Sequence, residues 1–323
     1  MPLLQASKTK KAAAARVQGF LNIDKAAGPT SHDIVARLRK VLPGVRVGHG
    51  GTLDPAAEGV LPICLGAATK YFDYLLESRK TYLATVRLGI ITSTQDRDGE
   101  VIEERPVGDL DPDAFSAVLR RFEGDIDQVP PMFSARRHHG KRLYELARAG
   151  IEVEREAQKG KVYWIRILSI DEPDVTFEVQ CGRGTYVRTL CHDIGLAWGT
   201  GGHLCRLTRK AVGAFGVEDA VSVEVAEEQI RAGRLNDVLK SMEEGLSFLP
   251  GVSLMRTPTG GLRRGLWILE GIFIRNIPEG PPGNHVRLVD NSGRTLGIAR
   301  IVPGEPVRLQ VRKVIDPSAE FSD

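Results

Sequence analysis

Asp54 lies in the run Gly48–Pro55, GHGGTLDP, the stretch richest in chemical possibility. A short glycine-rich loop lets backbone approach a ligand closely. Pro55 biases Asp54 away from the right-handed helical region, toward an extended or turn conformation. A carboxylate can serve as a covalent nucleophile, although an Asp-Pro pair also simply forms turns. Two further groups widen the possibilities: Tyr82 in the strand-like TYLATV and Arg188 in the helix-like TYVRTL. An Asp buried beside an Arg keeps its negative charge. An aromatic ring near such a pair is a platform for a planar ligand. Spacing alone does not bring the three together.

Other chemistries fit less well. Cys181, Cys191, His192, His203 and Cys205 are zinc-type ligands, but they form no CxxC or HxxxH pair presenting two ligands together. Buried thiols packing as small hydrophobes are the expectation, and no metal is expected. There is no GxxxxGK[ST] phosphate loop, no HExxH and no GxGxxG fingerprint. A zinc deaminase acting on RNA bases would need an HxE with a PCxxC, and neither occurs.

Around these residues the pattern predicts a strand at Gly19–Asp24. A helix follows, with Pro29 ahead of it and Thr30 and Asp33 at capping-box spacing. Ile34, Val35, Leu38, Val41 and Leu42 continue it, and Pro43-Gly44 stops it. Val47–Pro55 reads as a loop, Gly59–Gly66 as a buried strand and Ala67–Leu76 as helical. Thr81–Ile91 reads as one long strand, joined by a polar turn to Glu100–Glu103, and Asp111–Phe122 as a helix. Strands at Val162–Ile170 and Asp174–Cys181 lead through a Gly-Arg-Gly turn into a helix over Thr185–Trp198. Leu190, Ile194 and Ala197 share one face of that helix, and His203–Thr208 is a further strand. Glu224–Glu244 is acidic and helix-prone, and Pro250-Gly251 marks a boundary. Beyond it, short Val/Ile/Leu runs cut by Gly and Pro have the style of a small β-barrel. Strands and helices do not alternate regularly, so the expected class is α+β rather than a doubly wound parallel sheet.

At 323 residues, with 42% hydrophobic and 26% charged, the chain suits about two folded domains. No apolar run approaches the ~18 residues of a membrane span, and no signal-type apolar region is present. Reduced thiols and a cytoplasmic location are the expectation. Residues 1–18 contain no acid and read as a disordered basic arm. The net charge of +3 conceals an asymmetry. From Val252 to Ile315 there are ten Lys/Arg against four acids, a local +6 that points modestly to nucleic acid. Met132–Lys161 is also basic and contains RRHHGKR, with Arg136, Arg137, Lys141 and Arg142 suited to phosphate contacts.

Taken together, GFLNIDKAAGPTSHDIV, VGHGGTLDP, EGVLPICLGAATK, KTYLATVRLG, QVPPMFSARRHHGKRLYELARAGIEVERE, CGRGTYVRTL and HLCRLTR span about Gly19 to Lys210 in unbroken order. In these segments the chain resembles the bacterial TruB family of tRNA pseudouridine-55 synthases (55 is the tRNA position). The resemblance implies a mixed-sheet pseudouridine synthase domain over 19–250 and a PUA-like RNA-binding domain over 252–315. It implies isomerisation of one T-loop uridine of tRNA by base flipping, without metal or organic cofactor and without an obligatory protein partner. It makes Asp54 the nucleophile toward the uridine ribose or base. It makes Tyr82 the ring that stacks on the base and takes part in proton transfer, and Arg188 the partner of Asp54. Tyr186 and Leu207 become uridine contacts, His49 the residue packing into the rearranged T-loop, and Lys70 an RNA or acidic-loop contact. Residues 132–156 correspond to a mobile segment that closes on the T-stem-loop. The competing reading is a non-catalytic RNA-binding protein, which would have no need of the Asp–Arg pair.

Overall fold

The computed structural model describes residues 17–134, 136–138, 140–255, 262–269, 284–302, 304 and 307–315. The arm expected over 1–18 falls almost wholly outside them. The chain divides into two units, one containing Leu21–Leu239, the other Gln18–Phe20 with Lys240 onward. That division falls upstream of the expected Pro250-Gly251.

The first unit is built on a mixed eleven-stranded sheet. Strand β1 (Gly19–Lys25) leads to helix α1 (Ser31–Val41), β2 (Val47–His49), β3 (Glu58–Leu65) and α2 (Phe72–Glu77). Then follow β4 (Lys80–Leu88), the hairpin β5 (Ile90–Thr92) and β6 (Val101–Glu104), α3 (Pro112–Arg120) and β7 (Gly124–Gln128). A small ribbon, β8 (Arg137–His138) with β9 (Lys141–Arg142), precedes α4 (Leu143–Arg148). The long β10 (Gln158–Asp171), β11 (Asp174–Cys181), α5 (Val187–Trp198) and β12 (Gly202–Val212) complete the site-bearing part. Short pieces follow: β13 (Phe215–Gly216), β14 (Val221–Ser222), α6 (Val223–Arg231) and β15 (Leu239–Lys240), while the next helix, α7 (Met242–Gly245), falls in the second unit. The main path across the sheet is β14-β1-β3-β12-β4-β11-β10-β7. β4 is antiparallel to both β11 and β12, whereas β12 runs parallel to β3.

Local chemistry explains most of these elements. Thr30 caps α1 in a complete capping box with Asp33, and Ile34, Val35 and Leu38 are buried. Strand β11 alternates strictly, with Val175, Phe177, Val179 and Cys181 fully buried. These pack in one cluster with Leu190, Cys191 and Ile194 of α5.

Four expected elements differ. The first three residues of Val47–Pro55 pair with β3 as β2 instead of looping. Ala67–Leu76 is split into a 3₁₀ turn, Gly66–Lys70, and α2, with Tyr71 between them. The strand expected over Thr81–Ile91 breaks at Gly89, which has φ +84° and donates its N–H to Gly201 O, so β5 leaves the sheet to pair with β6. The acidic Glu224–Glu244 stretch forms two short helices; Gly233, at φ +73°, follows the end of α6.

In the second unit, β16 (Gly251–Ser253), β17 (Trp267–Leu269), β18 (His285–Val289), β19 (Thr295–Val302) and β20 (Arg308–Val314) form a sheet in the order β16-β18-β19-β20-β17. Its core contains Val252, Ile268, Val286, Leu288, Leu296, Leu309 and Val311. No helix among the described residues is long and apolar enough to cross a membrane.

Candidate active site

Asp54 lies in the connection between β2 and β3, where each neighbouring peptide is held by a different element. Asp54 O accepts from Ala57 N at 3.1 Å, closing a turn with Pro55 inside it. On one side, Ser31 at the start of α1 donates to Leu53 O at 3.0 Å and accepts from Leu53 N at 2.9 Å. On the other, the buried Lys25 of β1 donates to Pro55 O at 3.1 Å and Ala57 O at 2.8 Å. Burial lowers the Lys25 ammonium to about 8, against the opposing pull of Asp54 and Glu58. Arg209 of β12 donates to the carbonyls of Gly51, Thr52 and Val60. The Asp54 carboxylate itself remains about half exposed, at 45%.

Arg188 reaches that carboxylate from the first turn of α5, with Nε 3.1 Å from Asp54 Oδ2. It is 7% exposed. Its Nη1 lies 3.0 Å from Asp96 Oδ2, and its Nη2 donates to Phe133 O at 2.8 Å. The guanidinium is thus shared between two carboxylates and the carbonyls of Phe133 and Thr94, so its plane and position are defined. Asp96 is fixed in turn by Thr94 Oγ1 at 2.5 Å. Its loop is tied to β12 by Leu204 N donating to Gln95 O and Arg97 N donating to Leu204 O, both at 3.0 Å. Gln95 has φ +64° and accepts from Thr189 Oγ1 at 2.8 Å, a left-handed non-glycine residue supported by α5.

Tyr82 stands on β4, opposite Val179 of β11 and Arg209 of β12. Burial pushes its phenol upward, with the Arg209 charge opposing. β12 carries two register shifts, between Leu204 and Arg206 and between Arg209 and Ala211, flanking the segment that holds Leu207 and Arg209. Tyr186 is held through its backbone by Gln128, which accepts from Tyr186 N at 2.9 Å and donates to Tyr186 O at 3.2 Å.

Asp54, Tyr82, Tyr186, Arg188 and Leu207 line one cavity of about 280 Å³, with Ser134 also at its wall. That is near the small end of ligand cavities. His49 is not in it. It borders a separate hollow with His32, Arg39, Cys64, Thr69 and Phe72, and its ring meets His32 edge-on at 5.6 Å. Burial lowers the His49 imidazole to about 4. Lys70 is exposed at the end of the 3₁₀ turn. In the basic segment, Lys141 is exposed and Arg136 partly buried, while the side chains of Arg137 and Arg142 lie outside the described part of the structure. Among the described residues no three His, Cys, Asp or Glu side chains gather as metal ligands. Burial pushes the thiols of Cys64 and Cys181 up to about 12.

Sequence reasoning passed over Asp96, Arg209, Ser31 and Lys25. Asp96 sits in a polar turn, and Ser31 and Lys25 are ordinary residue types for their elements. A lone Arg in a strand destined for the interior was the one available signal, since Arg is almost never fully buried without partners.

A family model described as "TruB family pseudouridylate synthase (N terminal domain)" matches 39–187, the stretch carrying Asp54, Tyr82 and Asp96. A second, "tRNA pseudouridylate synthase B C-terminal domain", matches 188–247. The tRNA pseudouridine synthase B of Nitrosococcus oceani is 40% identical over 303 residues, covering 93% of this chain and 95% of that protein. The chain belongs to the TruB family of pseudouridine synthases. Its Geobacter sulfurreducens relative of the same name is 46% identical over 250 residues, 77% of this chain and 82% of that protein. Among solved structures, a Cbf5–Nop10–Gar1 complex matches with TM-score 0.71 and 28% identity, over 95% of this chain and 87% of that one. An H/ACA RNP bound to a substrate RNA containing 2′-deoxyuridine matches with TM-score 0.69 and 26% identity, over 96% and 89%. The family resemblance and the α+β fold class expected from sequence both hold, and the mixed sheet is a pseudouridine synthase fold.

Proposed function

We propose that this chain is the TruB-family enzyme that converts the T-loop uridine of tRNA to pseudouridine, with Asp54 as nucleophile. The observation that carries this reading is the 3.1 Å pair of Arg188 and Asp54 in a cavity lined by Tyr82. The uridine leaves its stack, at a cost of typically a few kcal/mol, and its base enters the cavity against the Tyr82 ring. Asp54 forms a covalent bond to the uridine and the N1–C1′ bond breaks. The base turns, the C5–C1′ bond forms, the bond to Asp54 breaks and returns the carboxylate, C5 releases its proton and N1 gains one. Nothing is oxidised or reduced, so the reaction as written requires no redox cofactor. Arg188 holds the Asp54 carboxylate in place, and Asp96 holds Arg188. Tyr186 and Leu207 border the base, and His49 takes the loop position vacated by flipping.

Around the cavity, Lys70 and the Arg136, Arg137, Lys141 and Arg142 group position the T-stem-loop through phosphates. Residues 132–156 close over it. The five-stranded C-terminal unit is PUA-like and adds charge for the tRNA body. The enzyme works in the cytoplasm, needing no obligatory protein partner.

Transfer RNA carrying uridine tritiated at C5 tests this directly. The purified chain is expected to release one tritium per tRNA, from the T-loop position alone. No release, or release from another loop, overturns the assignment.

A further inference from the structure

Arg209 carries a full charge at 1% exposure, and it heads the largest fully buried side chains among the described residues. Among the described residues no carboxylate pairs with it. Its donors go to backbone: Nε to Val60 O at 2.7 Å, Nη1 to Thr52 O at 3.2 Å and Nη2 to Gly51 O at 3.1 Å. Two of these carbonyls belong to the loop immediately before Asp54. The third begins the run of β3 that leaves the loop. Glycines let the backbones of β3 and β12 approach closely at this point. Gly59 has φ +98°, and a Cβ there would stand 2.3 Å from Arg209 O. Gly51 has φ +141°, beside Nη1.

Across the sheet, Arg209 is paired with Tyr82 in the β4–β12 register. Tyr82 lines the cavity with Asp54.

We propose that Arg209 is a positioning residue of the reaction, one buried guanidinium that sets the Asp54 loop in register with the strand that carries Tyr82. The inference rests on the functional reading above. Thr52 shows how the loop is locked: its carbonyl is held by Arg209, while the next N–H, of Leu53, is held by Ser31 at 2.9 Å. Removing the guanidinium frees one end of that peptide. A displacement of the order of an ångström at a reacting group is enough to cost about 10²-fold in rate.

The test is single-turnover pseudouridine formation at saturating tRNA with Arg209→Met, which keeps much of the volume and removes the charge. The expected result is a rate constant lowered about 10²-fold or more, with tRNA affinity and reaction amplitude near wild type. In a Tyr82→Phe background the same substitution is expected to cost less, because the hydroxyl with which the Asp54 loop must be in register is gone. Arg209→Lys keeps the charge, but one nitrogen cannot serve three diverging carbonyls, so its rate falls between wild type and Met. A near-wild-type rate constant with reduced amplitude means a folding role only and overturns the proposal. An equal fold-loss in both Tyr82 backgrounds overturns the link to Tyr82. If the Met variant does not fold, the Lys variant decides by the same split of rate constant from amplitude. Inactive wild-type protein would instead sink the functional reading, so the two failures are distinguishable.

Discussion

Arg188 and Arg209 are 7% and 1% exposed, and the groups they face are carboxylates and carbonyls set at 2.7–3.5 Å. In the C-terminal unit, Arg308 and Arg312 are exposed: one lies over the Trp267 ring at 5.3 Å, the other donates to Gln310 at 3.1 Å. At its site the first unit buries these two cations and surrounds each with fixed partners, so that charge there defines geometry. The second leaves many of its cations in water, where each interaction is weak, screened and additive. Changes around Asp54 should therefore act steeply on one chemical step. Changes on the C-terminal sheet should act gradually on binding, in proportion to the charge removed.

The largest effect is expected at Asp54. Asp54→Asn keeps shape and remains a good turn residue before Pro55, but removes the nucleophile. Pseudouridine formation should fall to background, beyond the ~10²–10⁴-fold loss of a general acid or base, with tRNA binding and thermal midpoint retained. A folded Asn variant with near-normal turnover would remove the assignment.

Tyr82 comes next. If its O–H serves the base, Tyr82→Phe should lose about 10²–10⁴-fold in turnover and bind tRNA almost normally. Tyr82→Leu should also weaken binding, by the roughly 1–3 kcal/mol of a stacked base. Wild-type rates from the Phe variant would reduce Tyr82 to a platform.

Arg188→Gln is expected to lower the single-turnover rate by about 10²-fold. It should also lower the melting midpoint, since Asp96 is left behind without its cation. Arg188→Lys restores the charge without the planar fork and should recover only part of the rate. Full recovery would show that charge alone suffices at this position.

On the C-terminal sheet the effect is smaller and of another kind. Arg308→Gln with Arg312→Gln should leave saturated turnover unchanged. The log–log salt slope of tRNA binding should fall by about one unit for each phosphate no longer neutralised. An unchanged slope would mean that this charge serves something other than RNA.

His49 offers the mildest test. Its folded-state imidazole titrates near 4, below its ordinary 6.5. Its neutral form therefore supports the fold fully above about 6.5, and that support drains as pH falls through 4. His49→Phe should flatten the acid limb of a melting-temperature profile between those limits. A profile identical to wild type would place the acid sensitivity elsewhere, for example at His192, whose imidazole burial also lowers.

Much of the first unit is legible along the chain. The Thr30–Asp33 capping box, the alternation of β11 and the helix through Leu190 and Ile194 are set by contacts within a few residues, and each forms as expected. The period over Thr81–Ile91 runs on without interruption, yet the strand breaks, because the break depends on Gly201, a residue distant in sequence that accepts the Gly89 N–H. His49 shares a motif with Asp54 yet borders a different hollow, because the strand pairing of β2 precedes the turn that aims Asp54.

The order of residues alone settles the Asp-Pro turn, the cap and the strand periods, since neighbouring side chains and backbone preferences act locally. It also carries the family motifs from which the chemistry was inferred. That Asp54, Tyr82, Asp96, Arg188 and Arg209 meet is a property of the folded chain. They come from five separate segments, brought together by the β3-β12-β4-β11 order and by α5. A buried cation is tolerable only where oxygens from several segments converge on it, and no local pattern encodes that convergence.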